Sequence, residues 1–248
     1  SNSGWYAQIG GQRLESDGTR ILAGQDKSEK AGFDQNGFNA KVGYSQENHI
    51  DANVEMSQYQ GTSFFTNDYV TSSSPRDFKN QLINAKLSYT INNNLIVNAH
   101  YGNSKDRQNI PAYSSYYNTE NNQGDVNLKW KFTPTQNILV GASYNDANYQ
   151  SDSISDTDQS ITSAGYYLQH QFKTDRLNTQ VGVRVEDNEK FGTHTVGQIA
   201  ARYQVLNNTS VYANIGTAFR APTLNELYSQ WGGNTQLKPE ESTAYEIG

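Results

Sequence analysis

The run Ile110-Pro111-Ala112-Tyr113-Ser114-Ser115-Tyr116-Tyr117-Asn118 sets three tyrosines beside amides and hydroxyls. Rigid amphipathic rings contact a large ligand at low entropic cost, so Tyr113, Tyr116, Tyr117 and Asn118 are candidate substrate contacts. Packing of a loop, or of an aromatic girdle at a membrane surface, would use the same residue types. Tyr228 and Trp231, further along, are candidates of the same kind. A different chemistry is offered by Phe33-Asp34-Gln35-Asn36-Gly37, where oxygen-bearing side chains alternate before a glycine, and by Asn67-Asp68 and Asp77. Calcium takes about six to eight oxygen ligands, so Asp34, Asn36, Asp68 and Asp77 could share one ion between adjacent loops. Solvated Asx turns are the alternative. Catalysis finds no support in the sequence. His49, His100, His170 and His194 are scattered without metal-ligand spacing, and no phosphate loop or nucleophile elbow occurs.

The elements that must position these residues are strands. The chain has 248 residues, 34% of them hydrophobic and 12% aromatic, with 20 glycines, 17 tyrosines and a net charge of −6. Its mean hydropathy is −0.82. A disordered chain would not hold that aromatic content, and many short apolar faces account for the low apolar total. No apolar run approaches the roughly 20 residues of a membrane helix. A spanning barrel needs only strands of about 9–11 residues that are apolar on alternate positions. Such alternation recurs: Phe38, Ala40, Val42, Tyr44; Ile50, Ala52, Val54, Met56; Ile83, Ala85, Leu87, Tyr89; Leu95, Val97, Ala99, Tyr101; and onward through Ile199, Ala201, Tyr203. The residues between them include Lys41, Glu55, Lys86, Lys129, Lys131, Arg184 and Arg202, as a hydrated lumen or a solvated sheet face would require. The absence of cysteine leaves no disulfide framework, and the acidic balance argues against a nucleic-acid partner.

Short turns are expected near Asp17-Gly18, Glu47-Asn48, Asn92-Asn93-Asn94, Pro134-Thr135, Thr174-Asp175 and Asn207-Asn208. Tyr44, Tyr89, Phe132, Phe172 and Tyr203 sit beside them, where an interfacial girdle would lie. Long connections are expected over 25–37, 61–78, 106–122, 151–159, 187–194 and 219–241. Short turns on one rim and long loops on the other describe an outer-membrane barrel, with a soluble sandwich or propeller as the alternative. The fold class is all-β, a transmembrane antiparallel barrel of which about 12–13 strands are present. Since such barrels have no open edge, the chain is expected to be a segment of a longer polypeptide.

One stretch departs from the alternation. After Val211–Ile215 comes Phe219-Arg220-Ala221-Pro222, where proline ends the ladder. Thr223-Leu224-Asn225-Glu226 then has the spacing of a capping box and predicts a short helix. Gly232-Gly233 releases the chain into Leu237-Lys238-Pro239-Glu240-Glu241-Ser242 and a further strand.

The two halves of that stretch, GTAFRAPTLNELY and LKPEESTAYEIG, resemble the mid-barrel signature of TonB-dependent outer-membrane receptors. Val183–Val205 is similar to the strand pair preceding it in the family, particularly in the cobalamin (vitamin B12) transporters. The resemblance covers 175–248 and continues in register back to about Phe33. It implies a barrel of about 22 strands, a plug domain outside this chain, and location in the bacterial outer membrane as a monomer among lipid. It also implies TonB-coupled uptake of cobalamin or a similar small molecule, with a siderophore or haem receptor as the alternative within the family. A passive porin or structural adhesin barrel is the alternative outside it. In cobalamin transporters an Asp-Asn-Asp-Gly loop and aspartates in the next loop bind calcium. Asp34 matches the first acid, Asn36 replaces the second, and the preceding loop is shorter. An aromatic loop lies over the substrate in family members, as Tyr113–Asn118 would. Arg220, Pro222, Leu227 and Tyr228 are expected to shape their loop and not to touch substrate.

Overall fold

The computed structural model describes residues 3–20, 29–67, 70–152, 159–229 and 232–248. Twelve strands form a single antiparallel sheet in strict sequence order: β1 (Gly4–Thr19), β2 (Ala31–Gln46), β3 (Ile50–Asn67), β4 (Val70–Asn92), β5 (Leu95–Ile110), β6 (Ser115–Thr133), β7 (Gln136–Ser151), β8 (Gln159–Lys173), β9 (Leu177–Asn188), β10 (Gly192–Leu206), β11 (Thr209–Arg220) and β12 (Glu240–Ile247). One 3-10 turn, Pro111–Tyr113, joins β5 to β6, and helix α1 (Leu224–Tyr228) interrupts the link from β11 to β12.

Alternation sorts the side chains into two faces. One register row reads Val42, Val54, Ala85, Tyr101, Gly124, Tyr144, Ala164 across seven strands. The neighbouring row on the other face reads Lys41, Glu55, Asn84, Gly102, Gln123, Asn145, Ser163. The apolar face is open: Val126 and Ile199 are each 56% exposed and Tyr166 63%. A soluble sandwich would bury those side chains beneath a second sheet, and the described residues form one sheet only. Lipid is the medium in which this face is stable, which leaves the charged face to a hydrated lumen. At the short-turn rim the girdle aromatics pack on one another, with Trp5 and Tyr44 ring centres 5.4 Å apart and Trp130 and Phe132 5.5 Å apart.

Two expectations about connections are corrected. Asp17-Gly18 makes no turn: β1 runs through it as one strand, with Gly18 at φ +70° and a register shift between Ser16 and Thr19. This brings the strand count to twelve among the described residues. The expected long loops over 61–78, 106–122 and 187–194 are largely hairpin: Gln60 pairs Lys79, Lys105 pairs Glu120, and Thr193 pairs Asp187. Backbone ladders do not depend on side-chain polarity, so the strands continue where apolar alternation stops.

Candidate functional site

The rim opposite the short turns carries the molecule's one cluster of buried apolar side chains among the described residues. Proline at 222 stops β11, and the chain turns back into α1. The Glu226 amide donates to Thr223 Oγ1 (3.2 Å) and the Thr223 amide to Glu226 Oε2 (2.8 Å), the reciprocal box expected from the spacing. The helix seats Leu224 and Leu227, 5% and 1% exposed, against Tyr149 and Ile161. Tyr117, Ala147, Phe191 and Tyr228 pack around this cluster, and Tyr149 Oη donates to Asn225 Oδ1 (3.3 Å). Tyr149 and Tyr117 lie on the polar face by register, so the β11–β12 connection folds over the mouth on the lumen side.

Arg220 fastens the loop. Its Nη2 and Nη1 donate to Glu226 Oε1 and Oε2 at 2.8 and 3.0 Å, and its Nε to Glu240 Oε2 at 3.1 Å. These bonds favour the charged forms, raising Arg220 and holding the Glu226 carboxyl at about 2 against an ordinary 4.5. A carboxylate depressed on folding contributes fully above its ordinary value and progressively less as pH falls towards its folded one. Between pH 4.5 and pH 2, protection of the Leu227 and Ser229 amides, bonded to Thr223 and Asn225 carbonyls, is therefore expected to fall. Hydrogen exchange measures it; protection factors unchanged down to pH 2 would show that the ion pair does not hold the loop.

The tyrosine run is divided by the strand that contains it. Tyr113 ends the 3-10 turn, exposed, with its ring 6.5 Å from Phe65. Ser114 adopts a left-handed conformation, and β6 starts at Ser115. Alternation then sends Tyr117 to the lumen side, where its hydroxyl donates to Gln108, and Tyr116 and Asn118 to the opposite side. Tyr228 also belongs to the loop's packing and accepts from Lys190 Nζ at 2.7 Å. Trp231 lies outside the described residues.

The proposed calcium ligands occupy strands. Asp34 on β2 and Asp77 on β4 both pair with Thr62 on β3, which puts them on one face two strand spacings, about 10 Å, apart. Thr62 Oγ1 already donates to Asp77 Oδ1 at 2.7 Å. Asn36 shares the face of Asp34, and Asp68 lies outside the described residues. Among the described residues no group of three or more His, Cys, Asp or Glu side chains gathers that could hold a metal ion.

Sequence reasoning missed a polar array on the lumen wall. Tyr167 Oη donates to both oxygens of Asp125 (3.0 and 2.8 Å), and Arg184 donates to Glu186 Oε2 (3.0 Å) and Ser143 Oγ (2.9 Å). Both side chains lie flat over glycines. A Cβ at Gly141 would come within 2.4 Å of the Tyr167 ring, and one at Gly165 within 2.1 Å of Arg184. Four strands contribute, so only the register reveals the array.

Comparison with known proteins follows the same lines. The family model described as TonB dependent receptor-like, β-barrel, matches residues 3–248. The chain is similar to the vitamin B12 transporter BtuB of Photobacterium profundum, 26% identical over 251 residues that cover 99% of this chain and 41% of the relative. It is similar also to the vitamin B12 transporter BtuB of Vibrio vulnificus, 28% identical over 141 residues, 55% of this chain and 23% of the relative. Among solved structures, the siderophore receptor PirA from Pseudomonas aeruginosa superposes with a TM-score of 0.80 at 14% identity, covering 98% of this chain and 46% of that one. The FrpB iron transporter from Neisseria meningitidis gives 0.77 at 12% identity, over 100% and 48%. The chain thus spans less than half the length of these relatives, and at such identities the superpositions show the fold alone.

Proposed function

The chain belongs to the TonB-dependent receptor-like β-barrel family, whose members are outer-membrane proteins, and on that footing we propose that it serves TonB-coupled uptake of a corrinoid. The observation that carries the choice of substrate is the match, along 99% of the chain, to a relative named for vitamin B12 transport. The chemistry of the mouth supports it. A corrin is a broad, partly apolar disc with amide arms, suited to tyrosine faces and neutral amides. An anionic ferric siderophore would favour uncommitted arginines and lysines. Here Arg220 is ion-paired with Glu226 and Glu240, while Lys190 and Arg76 donate to the neutral hydroxyls of Tyr228 and Ser63. Tyr113 presents its ring at the mouth, and Tyr117 and Tyr228 line the lumen side of the docked loop.

In this reading the chain's residues bind and orient the substrate and no bond is made or broken. The intact receptor is expected to bind cyanocobalamin saturably and to ignore a panel of ferric siderophores. Tyr113→Ala should weaken cobalamin binding about tenfold, the scale of one aromatic contact. Equilibrium binding by calorimetry checks both; tight siderophore binding with no cobalamin binding would refute the substrate and leave the fold intact.

A further inference from the structure

The ladder between β10 and β11 stops partway along both strands. Register pairs run from Leu206 and Thr209 to Gln198 and Gly216 and end there. Both strands continue, β10 to Gly192 on β9 and β11 to Arg220 on β12. The break coincides with the end of the apolar run. Outward-facing side chains below it are Tyr203, Ala201 and Ile199 on β10 and Val211, Ala213 and Ile215 on β11; above it come Thr195 and Thr217. Hydrocarbon forces every backbone group into a ladder, and above it water satisfies the groups that a parted ladder frees. Residues 217–220 and their β12 partners 240–243 therefore form a flap that side chains join to the wall.

Three contacts cross the gap. The Gly197 amide donates to Thr217 Oγ1 (2.9 Å) in place of a ladder bond. The His194 ring stacks on Phe219, with centroids 3.8 Å apart and planes 18° from parallel, and His194 Nδ1 lies 3.2 Å from Glu241 Oε1. By register His194 belongs to the lumen face and Phe219 and Glu241 to the outer face, so they meet only because β10 and β11 no longer share one surface. Val196, Ala218 and Ser242 help to line the cleft of about 250 Å³ beside them. His194 Nε2 lies 3.0 Å from the Phe191 carbonyl oxygen, so both ring nitrogens face acceptors. A neutral imidazole with its proton on Nε2 turns a lone pair towards the Glu241 carboxylate, whereas the imidazolium satisfies both acceptors. Neighbouring charges are engaged elsewhere. Glu186, opposite His194 on β9, accepts from Arg184, Asp187 from Thr193 and Glu189 from Thr162. Arg220 is held by Glu226 and Glu240, and Lys190 donates to Tyr228.

We propose that His194 is a pH-sensitive latch that holds the β11–β12 flap, and the docked helix α1 it carries, against the barrel wall. Protonated, His194 joins the Glu241 carboxylate to the Phe191 carbonyl across the cleft. As pH rises through the range in which an imidazole loses its charge, about pH 5 to 8, the link to Glu241 is lost and the flap loosens. The sign is opposite to that of the Arg220–Glu226 pair, which weakens only as pH falls from 4.5 towards about 2. The two links together seat the loop best in mildly acidic solution. The latch is independent of the corrinoid reading.

The test is hydrogen exchange of the intact receptor in lipid bilayers at about pH 5.5 and about pH 8, with each rate normalised to its intrinsic value. Protection of the Gly197 amide and of 217–220 is expected to be about two- to fivefold higher at the lower pH, the scale of a partly exposed ion pair. Strands β6 and β7 should show no such difference. His194→Gln and Glu241→Gln should each flatten the pH dependence and leave protection at the lower level. The comparison of the two pH values on unaltered protein holds whether or not either variant folds. Equal protection at the two pH values, greater protection at the higher one, or a pH dependence that survives in either variant would each overturn the proposal.

Discussion

Replacing Val140 with arginine is expected to destabilise the folded barrel by about 2–4 kcal/mol, whereas arginine at Gln169 should change stability by less than about 1 kcal/mol. Val140 lies in the middle of the belt, 44% exposed and register-paired with Leu128 and Leu168. Hydrocarbon is its solvent, and a guanidinium there must thin the bilayer or drag water inward. Gln169 follows Leu168 immediately, yet it points to the hydrated side, where Gln180 donates to it at 3.2 Å. Two positions on neighbouring strands thus separate the media by the side-chain period of two. Urea unfolding of the intact receptor in lipid bilayers measures the difference. Equal costs at the two sites would show that the faces have been assigned wrongly.

That contrast explains what was legible beforehand. Inside the bilayer the two sides of each strand meet different solvents, so Val42, Val54, Leu87 and Val140 fall on one face and Lys41, Glu55, Lys86 and Arg184 on the other. Above the bilayer both sides meet water, and the signal vanishes while the backbone ladder continues. Gly61–Phe78 and Asp106–Asn122 therefore resemble loops in sequence although Gly61 pairs Phe78 and Asp106 pairs Thr119. Asp17-Gly18 misleads for a related reason: its turn-forming residues serve an irregularity in one strand. Patterning marks the extent of the hydrocarbon, and strand ends are set elsewhere.

The site was legible where chemistry is local and illegible where it is shared between strands. Thr223 and Glu226 lie three residues apart and satisfy each other's amides, so their spacing sufficed to predict α1. Arg220 was recognisable as a loop-shaping residue, but Glu240, its second partner, lies 20 residues away. The array of Asp125, Ser143, Tyr167 and Arg184 depends on registers that no single segment contains. Tyr116 and Tyr117, adjacent in sequence, were read as members of one surface; pairing places them on opposite sides of the wall.

The docked loop gives the second large effect. Leu227→Ala is expected to weaken seating of α1 by about 2–5 kcal/mol, because Leu227 is 1% exposed and the pocket formed with Tyr149 and Ile161 belongs to strands that cannot close on the void. Thr223→Ala should cost less, about 0.5–2 kcal/mol, since it removes one capping acceptor and leaves the apolar contact. The two changes act on the same helix turn, so their combination is expected to fall short of the sum. Neither should move the barrel's own melting transition, because the twelve strands are paired through their backbones and lipid covers their apolar face. The readout is hydrogen exchange across 221–229, which should rise steeply in Leu227→Ala while β7 and β8 stay protected. If the loop's exchange is unchanged, the cluster at the mouth is not what holds it. If β7 and β8 lose protection together with the loop, the loop is part of the barrel's cooperative unit and cannot move independently over the mouth.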